Sequence, residues 1–490
     1  KSMKLGDSCM VKVIRADKID RVMTHKIWAI PLFLLIIFAI FHLTFGNDLF
    51  YMGNMGLIID NEIAINYFTG MRYDGSSIAG IPSLGVWLQN WLTCGTESLI
   101  NLIRTGFANI GMAESWISGL VCDGVLTGLS SVIGFIPQIL LLFAFISLLE
   151  DSGYMARIAF VLDRTFRKIG LSGKAFIPMI TGFGCSVPAI MATRTLQDER
   201  EKNRTIRLIT CFSCGAKAPI WTLLASVATI ALGLGDLFIF SIYLGGILIA
   251  ILCALFMKVL SKNKKVPPLI MELPSYRLPQ LKNVATRVWH KLKHYLINAG
   301  TIITISLVII WGLQSFGWDN AGNFGYIPNY IEGSFLAYIG KGITYVFYPL
   351  GWTMGEDGWK YMVSAVTGLV AKENVVGTMA SLGLMKDTIS LSAAGIYAFA
   401  SFNLLTLPCM ATIATARSEQ TTKQFIITLL YWFFISYFMS AYIYWVGTLI
   451  IEIWWLGLIA IFATAIIITG TLLLLNRNLR ISFLSSWEQP

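Results

Sequence analysis

Long apolar runs separated by short charged loops set the pattern of this chain. A polar, basic start (1–26) leads into the apolar run Ile27–Gly46, which at ~1.5 Å per residue is long enough to cross a bilayer. No small-residue cleavage site follows, so 27–46 reads as an anchoring first transmembrane helix rather than a signal peptide. From 47 to 130 the pattern is mixed, with only Arg72 and Arg104 against seven carboxylates. That balance predicts a non-cytoplasmic loop, in which 84–103 lies at the interface as amphipathic helix. Further apolar segments fall at 131–149, 175–192, 206–232, 237–257, 297–316, 360–381, 394–416, 425–448 and 450–475.

Loop charge then orients the segments. Loop 151–174 holds Arg157, Arg164, Arg167, Lys168 and Lys174, and loop 193–207 holds Arg194, Arg200, Lys202, Arg204 and Arg207. Both read as cytoplasmic, so the single segment between them, 175–192, must enter and return as a hairpin. The basic stretch 258–296 is inside again and ends in an amphipathic piece near 281–296. Loop 317–358 has Lys341 as its only Lys or Arg, which places it outside. Segment 360–381 carries Lys372 and Glu373 at mid-depth, where ionisable groups need a protein-lined environment, so it reads as a second hairpin entered from outside. The expected fold is an all-α polytopic membrane protein with about eight crossing helices and two re-entrant hairpins. A plain ten-crossing topology competes with it.

Two stretches repeat one order of parts: a span, an amphipathic segment, a Thr-Gly hairpin, a charged loop and a proline-bearing span. The first runs from Phe135 through Thr181-Gly182 to Pro219, the second from Ile303 through Thr367-Gly368 to Pro408. Opposite entry sides make this an inverted, gate-type repeat, an arrangement that builds a midplane site reachable from either face. The expected divisions are a cytoplasmic start (1–26), a first helix (27–46), a non-cytoplasmic loop (47–130), gate repeat 1 (131–257), a basic cytoplasmic loop (258–296), gate repeat 2 (297–448), a last transmembrane helix (450–475) and a cytoplasmic tail (476–490).

Composition closes off the soluble classes. Of 490 residues, 56% are apolar and 13% charged, and the mean hydropathy is +0.68; lipid must be the solvent for most of the chain. The net charge of +10 then reflects basic cytoplasmic loops rather than nucleic-acid binding. Eight cysteines in so long a chain are no disulfide framework. Beginning at Lys1, the chain reads as a piece of something longer.

Candidate chemistry gathers at helix breakers. Thr181-Gly182-Phe183-Gly184-Cys185-Ser186-Val187-Pro188 cannot hold a regular helix, because glycine loosens the backbone and proline removes a donor. In lipid such a break survives only when buried in protein or lining a cavity. Cys211-Phe212-Ser213-Cys214-Gly215-Ala216-Lys217-Ala218-Pro219 and Leu407-Pro408-Cys409 repeat the theme. Cys185, Cys214 and Cys409 read as first contacts for a borderline or soft cation, Fe(II), Zn or Cu(I), with Glu373 supplying charge. The alternative is that each cysteine is a small packing residue. Gly182, Gly184, Ser213 and Lys372 read as support for the gates. Glu150 and Asp151 flank a span end beside Arg157, in the interface or as gating groups. Cys9, Cys94, Cys122 and Cys253 have no such context. Four histidines without H-E-x-x-H spacing disfavour a zinc protease, and Gly170–Ala175 lacks the spacing of a phosphate loop.

Gly182-Phe183-Gly184-Cys185 through Pro188-Ala189-Ile190-Met191-Ala192-Thr193-Arg194, preceded by Leu148–Arg157 and Gly170–Lys174, resembles the first gate region of the bacterial ferrous iron transport protein B (FeoB) family. Ser213-Cys214-Gly215-Ala216 before a proline, Ala371-Lys372-Glu373 and Pro408-Cys409 resemble its later motifs, and the likeness runs from about Asp17 onward. The resemblance implies Fe2+ as substrate and passage into the cytoplasm across a bacterial inner membrane. It implies transport rather than catalysis, with GTP and Mg2+ acting through a G domain that this stretch does not contain. Implied partners are that GTP-binding domain, small Feo accessory proteins and the lipid bilayer, and no nucleic acid. Lys217 stands where the family usually has Arg, and Asn374 where it usually has Val. Zn2+ or Mn2+ transport, a nucleoside carrier with paired hairpins, and a non-transporting receptor are the competing readings. A nucleoside site should present Asn, Gln, Glu and aromatic groups at the hairpin tips, where this chain offers Gly, Cys and Ser.

Overall fold

The computed structural model describes residues 28–46, 58–59, 78–79, 81–112, 115–232, 235–260, 280–319, 323–327, 331–384, 389, 391–453, 455–457, 459–464 and 466. The expected cytoplasmic start and tail lie outside these residues, as do most of 47–80 and the centre of the basic loop. Strand is confined, among the described residues, to two short antiparallel pairs: β1 (Ile58–Ile59) with β2 (Ile78–Ala79), and β3 (Phe316–Trp318) with β4 (Phe324–Tyr326). The rest of the regular structure is helical.

The chain opens with α1 (Ala29–Phe45), α2 (Leu84–Asn109), α3 (Trp116–Asp151) and α4 (Tyr154–Ile169). It runs on through α5 (Phe176–Gly184), α6 (Ser186–Ala192), α7 (Glu199–Ile209), α8 (Ala218–Leu232) and α9 (Gly235–Leu260). Next come α10 (Leu281–Tyr295), α11 (Thr301–Ser315), α12 (Phe335–Phe347), α13 (Gly358–Thr367) and α14 (Asn374–Ser381). The last three are α15 (Ala393–Leu405), α16 (Met410–Glu419) and α17 (Thr422–Glu452). By length and apolarity, four stretches among the described residues can cross a membrane: Trp116–Asp151, Leu237–Leu260, Ala393–Glu419 and Thr422–Glu452. The molecule is an all-α membrane protein.

Two compact units divide the chain, one from Lys1–Arg164 with Leu269–Gly312, the other from Thr165–Pro268 with Leu313–Pro490. In the first, α1, α2 and α10 pack along α3. In lipid the drive for this is close packing and hydrogen bonding, since a tail is as apolar as a leucine. Small residues make it possible. Gly85 on α2 lies against the backbone of Thr44, and Gly124 and Gly128 on α3 face Trp311 and Leu307, each with room for no more than a touching methyl at 3.4 Å. α10 is amphipathic as expected, burying Val284, Val288 and Leu292 on one stripe. Its Arg287 donates to Asp151 at 2.5 Å.

The second unit holds the interrupted helices. The apolar segment 206–232, expected as one span, is two helices, α7 and α8, separated by Thr210–Lys217. Segment 394–416 is likewise α15 and α16, separated at Thr406–Cys409. Proline explains the restarts: Pro188 and Pro219 fall in the first turns of α6 and α8, where the missing N–H would have no intrahelical partner anyway. The acidic loop 317–358 is more ordered than a loop, with β3, β4 and α12, whose Ser334 hydroxyl accepts the Ala337 N–H at 3.2 Å. The core is aromatic. Trp352 is fully buried against Phe399 and Phe402, with ring centroids 5.2 and 5.3 Å away, and donates to Ser440 Oγ at 3.2 Å.

Candidate functional site: four breaks and their side chains

The first break joins α5 to α6 at Cys185, whose backbone is extended (φ −152°, ψ 133°) between two helical arms. Gly184 before it and Pro188 after it leave no strong helix former to bridge the gap. Phe183 anchors the tip, 4.9 Å from the Phe212 ring and stacked on Tyr243 at 6.3 Å. Gly182 packs on Ile209, where an added methyl would sit at 3.4 Å from the Ile209 Cγ2.

The second break carries Cys214, again extended (φ −86°, ψ 163°), at the head of the short turn Gly215–Lys217. Ser213 beside it accepts the Trp221 indole N–H at 2.7 Å, which ties the break to α8. The third break, Gly368–Glu373, joins α13 to α14 through consecutive turns. The Thr367 and Thr378 hydroxyls, 2.9 Å apart, pin its two arms together. The fourth break ends at Cys409 (φ −57°, ψ 157°), whose thiol lies 3.2 Å from the Thr412 hydroxyl.

A shared placement emerges. Cys185, Cys214, Glu373 and Cys409 are each the N-cap residue of the segment that follows. Cys409, Cys214 and Glu373 lie within charge–charge range of Cys185, and Cys214 and Glu373 within that of Cys409. The four are neighbours in the second unit but do not form a closed site: among the described residues no three His, Cys, Asp or Glu side chains are grouped as a metal-holding cluster. Lys372 is a neighbour of Lys217, Cys214 and Cys409, and its amino nitrogen is buried without a hydrogen-bond partner among the described residues.

Of the other expected residues, Gly184 is buried at the end of α5. Glu150 and Asp151 close α3 in the first unit, where Asp151 is engaged by Arg287. Sequence reasoning missed two links. Lys217, noted only as a departure from a motif, donates to the Leu404 carbonyl at 2.7 Å. Glu419 at the end of α16 accepts from Arg194 Nε at 2.6 Å, and Lys202 lies 3.4 Å away, joining the exit of the first hairpin to the second repeat. A lysine inside an apolar segment was the available signal for the first; the second had none.

The Gate family model, described as nucleoside recognition, matches residues 132–231 and 296–423. A second model, ferrous iron transport protein B C terminus, matches 239–291. Among curated relatives, the Fe(2+) transporter FeoB of Campylobacter jejuni is 32% identical over 87% of this chain and 64% of its own length. That of Methanocaldococcus jannaschii is 37% identical over 69% of this chain and 51% of its own length. A fusion of Fe(2+) transport protein A with Fe(2+) transporter FeoB from Porphyromonas gingivalis is 32% identical over 88% of this chain and 52% of its own length. The chain therefore spans between half and two thirds of the relatives it matches. With the iron-transport model over 239–291 and these relatives over 69–88% of its length, it belongs to the ferrous iron transport protein B family.

Proposed function

We propose that this chain forms the membrane path of a ferrous iron transporter, with Fe2+ as cargo passing into the cytoplasm along Cys185, Cys214 and Cys409 with Glu373. The observation that carries the reading is the placement of these four at the breaks of interrupted helices, within electrostatic reach of Cys185. Fe2+ must shed water to cross, and polarizable sulfur replaces that water better than a hydroxyl. An open series of weak contacts lets the ion leave, where a closed tetrahedral shell would retain it. The names of the relatives support the same cargo.

In this reading α5–α6 is a hairpin open to the cytoplasm and α13–α14 one open to the outside, within about eight crossings of a bacterial inner membrane. Gly182, Gly184 and Ser213 shape the first gate, and Lys372 the second. A GTP-binding domain, in the same chain or separate, holds GTP and Mg2+ and sets the rate; a small Feo accessory protein is a further partner, in keeping with the fused Porphyromonas relative. The chain itself moves an ion and catalyses no reaction.

The test is uptake of radiolabelled Fe2+ by vesicles carrying the purified chain, run beside Zn2+, Mn2+ and a nucleoside panel. Saturable Fe2+ uptake above protein-free vesicles is the expected result. Nucleoside uptake without metal uptake would overturn it in favour of the chemistry in the Gate description. For the hairpin, cysteines placed at Lys174 and Thr195 should react with an impermeant thiol reagent from the same membrane face.

A further inference from the structure

A cavity of about 390 Å³ opens between α7, α9 and α17, lined by none of the break residues. One wall is basic. Arg200, Arg204 and Arg207 stand at helical spacing on α7 and share one face. Arg207 is committed to the protein: its Nε donates to Thr428 Oγ1 at 3.2 Å and its Nη2 to Gln424 Oε1 at 2.8 Å. Arg200 and Arg204 make no side-chain hydrogen bond or ion pair among the described residues. Burial lowers the Arg204 pKa from its ordinary value, with Arg200 adding to the shift and Asp198 and Glu201 opposing it. Glu201 does not neutralise the wall by contact, because its carboxylate accepts the Ser172 N–H at 2.5 Å.

The other walls are apolar. Phe256, Leu260 and Ile427 line the cavity and are 51%, 55% and 39% exposed, at the ends of two helices long enough to cross the membrane. Side chains so exposed on spanning helices face acyl chains. Lys258 in the last turn of α9 donates to the Lys168 carbonyl at 2.6 Å, and a lysine at the end of a spanning helix suits the polar boundary. The cavity thus sets two guanidiniums with no protein hydrogen bond among the described residues immediately beside an exposed apolar surface.

We propose that this cavity binds an anionic glycerophospholipid, its phosphate taken by Arg200 and Arg204 and its acyl chains lying along Phe256, Leu260 and Ile427. Guanidinium forks match phosphate oxygens in pairs, and basic pockets between helices at the membrane surface recognise such headgroups. A soluble phosphate ester would satisfy the arginines and leave the apolar walls uncovered, which is why a lipid is the better fit. The inference rests on α9 and α17 spanning the membrane and is independent of the cargo. Because Glu201 on α7 also holds Ser172 at the start of the first hairpin, the lipid would steady that hairpin's base.

The experiment is native mass spectrometry of the delipidated full chain supplied with phosphatidylglycerol or phosphatidylcholine, for the wild type and an Arg200→Gln/Arg204→Gln double variant. Preferential retention of phosphatidylglycerol is expected, weakened on the order of thirtyfold in the double variant at about fivefold per arginine. Ile427→Glu keeps the arginines, gives them a carboxylate and should also reduce retention, so a misfolded double variant does not decide the matter. Equal retention of the two lipids, or undiminished retention in both variants, overturns the proposal. Glycerol 3-phosphate displacing the lipid at comparable concentration overturns it in favour of a soluble phosphate ester, and displacement by a polyglutamate peptide overturns it in favour of an acidic protein segment.

Discussion

Lys217 Nζ donates to the carbonyl oxygen of Leu404 at 2.7 Å, across 187 residues of sequence. Lys217 ends the short turn after Cys214, and Leu404 lies in the last turn of α15 just before the break that holds Cys409. The last carbonyls of a helix have no intrahelical donor, and a buried cation there is favoured by the helix dipole. One side chain therefore ties the second break to the fourth and holds two of the cysteine-bearing loops in register.

Lys217→Met should loosen that register. A hydrogen bond from a charged donor is worth about 1.5–3 kcal/mol, and its loss should lower the melting temperature of the purified protein and reduce Fe2+ uptake together. Lys217→Arg keeps a donor long enough to reach the carbonyl and should retain both. A methionine variant with wild-type melting and uptake would show that the contact orders nothing.

Gly246 on α9 makes a second prediction about the same loops. A methyl group there would run into the Cys211 carbonyl oxygen and stand 3.2 Å from Leu404 Cδ2, whereas at neighbouring Gly245 nothing lies within 4 Å. Gly246→Ala should destabilise by about 1–3 kcal/mol through overpacking. Gly245→Ala should be neutral or stabilise by up to about 1 kcal/mol through helix propensity. Thermal melting of the pair, made side by side, checks the close approach without reference to transport.

The break at Cys185 was legible because glycine and proline crowd it and breakers act locally; Cys214 and Cys409 sit beside the same breakers, yet hydropathy joins the arms on either side of each into a single span. Joining these cysteines to Glu373 was legible only through the repeat, which assigns corresponding positions. What stayed hidden is non-local. Nothing near Lys217 marks the carbonyl of Leu404 as its acceptor, since every residue carries a carbonyl. Glu419 carries no local mark of its role, although its partners Arg194 and Lys202 were both in view as loop charges. The split of 206–232 was masked by hydropathy, which averages over Thr210–Lys217 and does not register the loss of a helical turn. α12 was lost differently: loop charge marks 317–358 as outside and says nothing of the apolar run Phe335–Phe347 within it.

Among the described residues, Lys372 is one of the largest fully buried side chains and its amino nitrogen has no hydrogen-bond partner. A buried polar group left unpaired costs about 1–3 kcal/mol, in either protonation state. A residue kept only for structure would not carry that cost. Lys372→Met should therefore raise the melting temperature while lowering Fe2+ uptake, the opposite-signed pair expected of a group kept for function. A fall in melting temperature would instead mean that Lys372 is a structural anchor, and its place in the gate would be lost.

The cysteine path predicts a different separation of stability from transport. Replacing Cys185, Cys214 or Cys409 by alanine removes one sulfur atom from a partly exposed position, a cost of about 1 kcal/mol or less in packing. If sulfur is a contact for the ion, each replacement removes a step that partly repays dehydration. Losing about 1.4 kcal/mol at one step slows passage on the order of tenfold. Uptake should thus fall far more than melting temperature does. Serine nearly keeps the size of cysteine but not its softness, so Cys→Ser should resemble Cys→Ala in transport. Cys409 sharpens the comparison, because its thiol also lies 3.2 Å from the Thr412 hydroxyl. A serine there keeps that contact, so a transport loss in Cys409→Ser reports on sulfur rather than on the hydrogen bond. The measurement is initial Fe2+ uptake normalised to folded protein, for each single variant and for the triple. Wild-type rates in the triple alanine variant would remove the thiols from the path and leave Glu373 and the backbone carbonyls of the four breaks to carry the ion.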